Sequence, residues 1–183
     1  MVFETKFVAV GGRSGVGKTT LVNQLLKMYP MRFKRPLSYT TREKRMGENE
    51  NEYCFVSHSK MLTLYKQGKL ANIDFNYNNF YAMDLQMLMK DMQIGNRMLI
   101  KEIHPKYYEN IRKILGGAMI SVVIEGATIA NDRKRRNKDD DIFFENLNSE
   151  DVDVKYYYDR TKNVEDCTRD LYKRIMQVIE CDY

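Results

Sequence analysis

The sequence predicts an α/β fold in which helices cover both faces of a parallel sheet. Short apolar segments alternate with segments of helical periodicity, a pattern typical of such sheets. A glycine-rich loop joins the first apolar segment, 7–10, to a helix expected over 18–28. Several short strands between residues 37 and 83 break the alternation, as an inserted substrate-holding region would. We expect one domain, 1–183, with a core of 1–36, 84–127 and 150–183, an insertion of 37–83 and a highly charged segment within 128–149.

The predicted helices in the first half of the chain have recognisable ends. Pro30 stops the first helix, because proline disfavours helix in the residue before it. Ser57 is expected to cap a helix over 58–67, which Gly68 closes. The remaining segments are expected to be a strand over 36–41, a polar turn over 43–51, a strand over 53–56 and two short extended pieces within 69–83.

The second half alternates more regularly. Asp84 is expected to cap a helix that ends at Gly95, and Asn163 to cap the last helix, whose apolar stripe is core packing. His104 is interpreted as a residue at the N-terminus of a helix and not as a general base. The other expected elements are a strand over 97–100, a helix over 105–115, a strand over 120–124 and a weak strand over 155–158.

Composition narrows the classes of function. A chain of 183 residues is long enough for one core, and it has neither a secretory signal nor the roughly 20 consecutive apolar residues that span a bilayer. Its three cysteines lack metal-site spacing, which indicates reduced thiols in a cytoplasmic protein. The net charge of +5 comes from short local groups of basic residues and not from one stripe, so we expect no nucleic-acid partner.

Residues 12–19 match G-x-x-x-x-G-K-[ST], a loop whose backbone N–H groups wrap a polyphosphate. Together with the strand before it and the helix after it, this loop predicts a P-loop NTPase-type sheet that binds ATP. Lys18 is expected to reach the β- and γ-phosphates, and the Thr19 hydroxyl to ligate Mg²⁺. The expected ATP-binding residues are Gly12, Arg13, Ser14, Gly15, Val16, Gly17, Lys18, Thr19 and Thr20.

A second block, residues 38–48, carries two arginines three positions apart, Arg42 and Arg45, with hydroxyl side chains around them. Guanidinium groups match phosphate oxygens bidentately, and serine and tyrosine hydroxyls can donate to the remaining oxygens. Taken alone, such a segment is often a surface turn. Beside a loop that binds ATP, it predicts phosphoryl transfer between two nucleotides.

These segments, GGRSGVGKTT, SYTTREKRMGE, EYCFVS and NFYAM, resemble the guanylate kinase family in order and near-family spacing over about residues 5–125. The resemblance implies in-line transfer of the γ-phosphoryl group of ATP, with Mg²⁺, and no covalent intermediate. It also implies that Lys18, Arg42 and Arg45 are catalytic. The residues that the resemblance assigns to the acceptor monophosphate are Ser38, Arg42, Arg45, Tyr53 and Tyr81.

The sequence departs from the family where the family reads the base. Asn72 stands at the position of a guanine-contacting glutamate, Met83 at that of a hydroxyl residue, and Ala82 at that of a glycine. Asparagine offers one acceptor oxygen and one NH₂ donor, so the sequence does not decide whether the acceptor base is guanine, another purine or a pyrimidine. Glu102 lies where the family has D-I-D-x-Q-G. It is expected either to serve Mg²⁺ or the substrate, or to pair with a neighbouring lysine.

The resemblance implies that residues 128–149 form a short lid, and this segment contains a basic run over 132–138. The resemblance implies that Arg135 or Arg136 reaches the transferring phosphate; the alternative is an exposed, charged helix end. A second arginine of the family's lid is absent. The string N-K-x-D at 137–140 matches a guanine-reading motif of GTP switches, but it follows basic residues and not a buried strand, which argues against a switch.

Three functions follow from these observations. The leading one is an ATP-dependent nucleoside monophosphate kinase acting on GMP or dGMP as a monomer or homodimer. The second keeps the reaction but changes the base, because Asn72 and Met83 depart from the family. The third is a protein-binding module without activity, which the complete phosphate loop argues against.

Overall fold

The computed structural model describes residues 6–46, 52–76, 78–128, 138–147 and 151–181. The described strands are β1 (Phe7–Gly12), β2 (Phe33–Lys34), β3 (Ser38–Thr40), β4 (Tyr53–Phe55), β5 (Leu70–Asn76), β6 (Asn79–Asp84), β7 (Met98–Glu102), β8 (Met119–Glu125) and β9 (Val154–Tyr157). The described α-helices are α1 (Lys18–Met28), α2 (His58–Lys66), α3 (Leu85–Ile94), α4 (Tyr108–Leu115), α5 (Lys138–Glu145) and α6 (Val164–Cys181).

The central sheet has the strand order β2-β7-β1-β8-β9, and all of its pairings are parallel. Its middle strand β1 is an unbroken apolar run, as expected for a strand covered on both faces. One face packs against Leu25 of α1 and Leu171 of α6, and the other against Leu88 of α3 and Ile111 of α4. This arrangement confirms the predicted fold class.

A second, four-stranded sheet in the order β4-β3-β6-β5 follows β2 in the chain. Strands β3 and β4 pair in parallel, whereas β6 pairs antiparallel with both β3 and β5. This small mixed sheet accounts for the break in the alternation of strands and helices. Its register places Ser38 beside Tyr53 on one side and Met83 on the other.

The predicted helix caps form as expected. The Ser57 hydroxyl accepts from the Lys60 N–H at 3.2 Å, and Asp84 Oδ1 accepts from the Met87 N–H at 2.9 Å. The remaining predicted caps are Asn163, whose side-chain oxygen accepts from the N–H of Glu165 at 2.7 Å, and His104, whose Nδ1 accepts from the N–H of Lys106 at 3.1 Å.

Some boundaries differ from the prediction. Strand β2, which pairs Phe33 with Met98, was not predicted, because two residues are too few to show a periodic pattern. The strand predicted over 36–41 shortens to β3, since Pro36 lacks the N–H that a ladder needs. The helix predicted over 105–115 begins with a 3₁₀ turn, Pro105–Tyr107, before α4.

Two bulk expectations can be compared with the structure. Cys54, Cys167 and Cys181, which are all described, form no disulfide with one another. Among the helices of the described residues, none combines the length and the apolar character needed to cross a membrane.

Candidate functional site

The phosphate loop joins β1 to α1 with a backbone that side-chain-bearing residues rarely adopt. Gly12 has φ +140° and Gly17 has φ +110°. A Cβ on Gly12 would lie 2.4 Å from the Ile124 carbonyl oxygen, and one on Gly17 would lie 2.6 Å from a ring carbon of Tyr158. Both glycines are therefore needed for conformation and for close packing of the loop against its neighbours.

Lys18 is the first residue of α1 and folds back over the loop. Its Nζ donates to the carbonyl oxygens of Gly12 at 2.8 Å and Arg13 at 2.9 Å. Among the described residues, no side chain caps α1, and its first turn contains no acidic residue. The helix N-terminus and the ammonium group therefore form a positive region suited to a phosphate anion.

The other predicted ATP-binding residues divide between the surface and the core. Ser14, Thr19 and Thr20 are exposed, so their hydroxyls are accessible to a ligand. Val16 is 1% exposed and packs into the core, so it anchors the loop. Only the backbone of Val16 is available for a nucleotide in this arrangement.

Two arginines tie the loop to the elements around it. Arg13 forms a 3.9 Å ion pair with Glu145 in α5. Arg160, which was not predicted from the sequence, donates to the carbonyl oxygen of Gly15 and, at 3.1 Å, to that of Ala127. These contacts link the phosphate loop to α5 and to the turn that follows β9.

A cleft of about 370 Å³ opens beside the loop, at the carboxyl end of the central sheet. Its walls come from α1, from the end of β7 and from the second sheet. The lining residues are Thr19, Asn23, Arg35, Pro36, Glu52, Tyr53, Asn72, Asp74, Tyr81, Ala82, Lys101 and Glu102. The cleft therefore brings together predicted residues of both phosphate sites.

Arg35 and Glu102 form a charge pair in this cleft. The guanidinium contacts the two carboxylate oxygens at 2.6 and 3.2 Å, and it also donates to Asn23 Oδ1 at 2.7 Å. Burial raises the pKa of Glu102, but the hydrogen bond and charge of Arg35 outweigh it, so the pKa lies below its ordinary value. Glu102 is therefore an ionised residue paired with Arg35, and its role toward Mg²⁺ or substrate stays a prediction.

Lys101 contributes a second cation to the cleft. Its Nζ donates to the hydroxyl of Ser38, which is 1% exposed. Among the described residues, no carboxylate forms an ion pair with Lys101 within 4.0 Å. Burial lowers the pKa of Lys101 to about 8, although the charge of Glu102 opposes this effect.

Tyr53 and Tyr81 come from neighbouring parts of the second sheet and meet edge to face at 6.1 Å. Burial raises the pKa of the Tyr53 hydroxyl, although Arg35 opposes this, so the group stays a hydrogen-bond donor at neutral pH. The Arg42 guanidinium lies 5.7 Å from the Tyr53 ring centre and 5.4 Å from that of Phe55. It stacks beside the cleft and is not among the lining residues.

Three further arginines were predicted to be catalytic, namely Arg45, Arg135 and Arg136. Arg45 is exposed and does not line the cleft. Arg135 and Arg136 lie outside the described residues. Part of the predicted lid is described as α5, whose Phe143 packs against His104 with ring centres 5.1 Å apart. The catalytic roles of these arginines stay predictions.

The predicted base-reading residues occupy different environments. Asn72 is 5% exposed and lines the cleft, next to Asp74 on the same strand. Met83 is fully buried in the core with Leu88 and Met92, and it is not among the residues that line the cleft. The contacts predicted for Met83 and Asn72 with a nucleotide both stay predictions, although of the two only Asn72 lines the cleft.

Sequence reasoning missed Arg35, Asp74 and Lys101. Lys101 and Glu102 are polar residues at the end of an apolar strand, a position that often carries function in parallel sheets. Asp74 lies two residues after Asn72, so the period-two alternation of a strand places both on one face. No local sequence pattern identifies Arg35 as a site residue, because its partner Glu102 is distant in sequence.

Comparisons with known proteins show the fold and the family of this chain. A guanylate kinase from Anaplasma phagocytophilum superimposes with a TM-score of 0.65, at 21% identity, over 98% of this chain and 87% of the other. A guanylate kinase from Mycoplasmoides gallisepticum is 29% identical over 142 residues, 74% of this chain and 71% of the relative. The human protein PALS2 is 29% identical over 111 residues, or 60% of this chain.

The extent of these matches differs. The matched segment is 20% of the length of PALS2 and less than half of the length of several other curated relatives. The family model described as guanylate kinase, by contrast, matches residues 4–180, which is nearly the whole chain. The chain belongs to the guanylate kinase family.

Proposed function

We propose that this protein transfers the γ-phosphoryl group of ATP to a nucleoside monophosphate, with GMP or dGMP as the preferred acceptor. One observation carries the proposal: a single cleft is lined by Thr19 of the phosphate loop and by Tyr53 and Tyr81 of the second sheet. A donor and an acceptor phosphate bound at these two positions share one cavity. That proximity is the main requirement of phosphoryl transfer, which depends on positioning and charge neutralisation.

The donor side consists of the phosphate loop. Its backbone N–H groups and Lys18 bind the phosphates of ATP, and the exposed Thr19 hydroxyl is available to Mg²⁺ at the edge of the cleft. The positive φ angles of the loop glycines and the uncapped start of α1 fit a polyphosphate. When bound, Mg²⁺ supplies positive charge to the phosphate oxygens.

The acceptor side consists of Ser38, Tyr53 and Tyr81, with Arg42 stacked on the ring of Tyr53. The hydroxyls donate to the acceptor phosphate and fix its orientation, and a guanidinium neutralises charge as the two phosphates approach. Arg45 belongs to this acceptor side as well, and Arg135 or Arg136 of the predicted lid adds positive charge at the transferring phosphate. The acceptor oxygen then attacks in line, without a covalent intermediate on the protein.

The acceptor base is tested by a panel of ribo- and deoxynucleoside monophosphates, each assayed with ATP and Mg²⁺. We expect GMP or dGMP to have the highest kcat/KM, because a site built from buried hydrogen-bonding groups rejects mismatched bases by large factors. A higher kcat/KM for a non-guanine acceptor would show that this base is the preferred one, and the proposed reaction would stand. Absence of transfer to every acceptor would overturn the proposed enzyme and favour a binding module.

Lys101 makes acceptor binding depend on pH. The pKa of Lys101, lowered by burial to about 8, means that its ammonium is charged at pH 7 and neutral well above pH 8. The other charged groups acting on it are Glu102, Arg35, Asp74 and Glu52. Because a phosphate anion favours the charged lysine, we expect the acceptor KM to rise as the pH increases from 7 to 9.5.

The matched variant for this prediction is Lys101→Met, which keeps the length of the side chain and removes the charge. Its acceptor KM should be about tenfold higher at pH 7, the effect of one charge-assisted hydrogen bond, and nearly independent of pH above 7. The KM for ATP serves as the internal control. An unchanged rise of the acceptor KM with pH in this variant would remove Lys101 from the acceptor site.

Assembly is a separate expectation. We expect a monomer or a homodimer, and light scattering on the purified full chain distinguishes the two. A dimer whose dissociation leaves transfer unchanged would show that one chain contains a complete site.

A further inference from the structure

Two neighbouring polar side chains line the end of the cleft formed by β5. Asn72 and Asp74 are two residues apart on this strand, so they lie on one face, opposite Met83 and Tyr81 of β6. The amide nitrogen Nδ2 of Asn72 donates to Oδ2 of Asp74 at 3.1 Å. Asn72 is 5% exposed, and its Oδ1 is buried without a hydrogen-bond partner among the described residues.

This contact fixes the orientation of the Asn72 amide. A carboxylate can only accept hydrogen bonds, so the amide must turn its nitrogen toward Asp74. Its oxygen then has to face the other way, as an acceptor with no donor from the described residues. A buried acceptor without a partner is costly and rare in folded proteins, and in a cleft it indicates a donor supplied by a ligand.

The Tyr107 side chain lies beside the strand segment that carries Asn72 and Asp74. The Tyr107 hydroxyl donates to the carbonyl oxygen of Ile73 at 2.8 Å, directly between the two polar residues in sequence. Burial, followed by the charge of Asp74, raises the pKa of Tyr107 to about 12. Asp74 therefore lies close to both Tyr107 and Asn72. Its hydrogen bond with the Asn72 amide gives that amide one preferred orientation.

We propose that Asp74 determines base selection by holding Asn72 with its oxygen toward the cleft, so that the pair accepts from two adjacent N–H donors of guanine. This inference rests on the proposed function. Guanine presents N1–H and an amino group side by side, whereas adenine presents an amino group beside an acceptor nitrogen. The same asparagine without Asp74 could turn either way and would not distinguish these two edges. Asp74 therefore acts in base recognition both as an acceptor and as the residue that positions Asn72.

The test begins with the unmodified protein. We expect kcat/KM to be about tenfold to a hundredfold higher for GMP than for inosine monophosphate, which lacks the 2-amino group, because one hydrogen bond to the Asn72 and Asp74 pair is lost. Adenosine monophosphate should be poorer than either. Equal use of GMP and inosine monophosphate would overturn the proposal without any variant.

Asp74→Asn tests the positioning role at nearly constant shape. Its amide can donate to Asn72, which allows the Asn72 amide to turn. We expect the preference for GMP over adenosine monophosphate to fall about tenfold to a hundredfold, mainly through the KM for GMP, while the KM for ATP is unchanged. Asp166→Asn, at an exposed residue of α6, is the matched control and should keep the preference. An unchanged preference in Asp74→Asn would overturn the proposal.

A rescue separates positioning from damage to the fold. Adding Asn72→Glu to Asp74→Asn supplies two acceptor oxygens from one side chain, and we expect the GMP preference to return. Failure of the rescue in a protein with an unchanged melting temperature would count against the proposal. If the unmodified protein transfers to no acceptor, the proposed function fails. Calorimetric binding of GMP and adenosine monophosphate then tests Asp74 separately: equal affinities overturn the proposal, and a GMP preference lost in Asp74→Asn supports it.

Discussion

Replacing Lys18 with alanine should lower kcat/KM for phosphoryl transfer by at least about a thousandfold. The Lys18 ammonium lies within 2.9 Å of two loop carbonyl oxygens, at the positive end of α1, where the phosphates of ATP are expected to bind. Its loss removes charge from the place where negative charge develops during transfer. The measurement is a steady-state assay in which ATP is varied at saturating GMP, supported by the melting temperature of each protein.

Lys113→Ala is the matched control for this change. Lys113 pairs with Glu109 on the surface of α4 at 2.7 Å, with both side chains largely exposed. Such pairs contribute little to stability, and this one is outside the cleft, so activity should stay within about twofold. A Lys18→Ala protein that keeps more than a tenth of the activity would contradict the assignment of the loop as the donor site.

Replacing Arg42 with alanine should mainly weaken use of the acceptor. The expected loss is about 2–5 kcal/mol in kcat/KM for GMP, the range found when one partner of a close charge pair is removed. Arg42 stacks on the rings of Tyr53 and Phe55, which hold its guanidinium beside the predicted phosphate position. The KM for ATP should change little. The measurement therefore compares the change in kcat/KM for GMP with the change in KM for ATP.

Arg97→Ala is a suitable control, because Arg97 donates to the Pro30 carbonyl oxygen at 3.3 Å in an exposed contact away from the cleft. Arg42→Lys should recover only part of the lost activity, since an ammonium lacks the bidentate geometry of a guanidinium. Unaltered acceptor kinetics in Arg42→Ala would mean that the cations inside the cleft, Arg35 and Lys101, bind the acceptor phosphate without Arg42.

Much of the fold follows from local sequence patterns. The loop at 12–19 combines a strand signal, a phosphate motif and a helix signal, and the caps at Ser57, Asp84 and Asn163 are short-range hydrogen bonds. These features depend on residues a few positions apart, so a single sequence predicts them. Strand β2 was missed because its pairing with β7 depends on a contact between distant segments.

The site was less predictable, for the same physical reason. The pairs between Arg35 and Glu102 and between Lys101 and Ser38 each join residues more than 60 positions apart. Asp74 could have been found, because strand alternation alone places it beside Asn72. In the family pattern, Asn72 replaces a glutamate. The structure places the carboxylate of Asp74 within hydrogen-bond distance of Asn72.

The central claim is that two phosphates bind end to end in one cleft. A compound that joins adenosine and guanosine through a chain of phosphates tests this directly, by calorimetry with the full-length chain and Mg²⁺. We predict that it binds at least about a hundredfold more tightly than ATP or GMP alone, because its second half binds intramolecularly. An affinity no higher than that of its better half would contradict the claim.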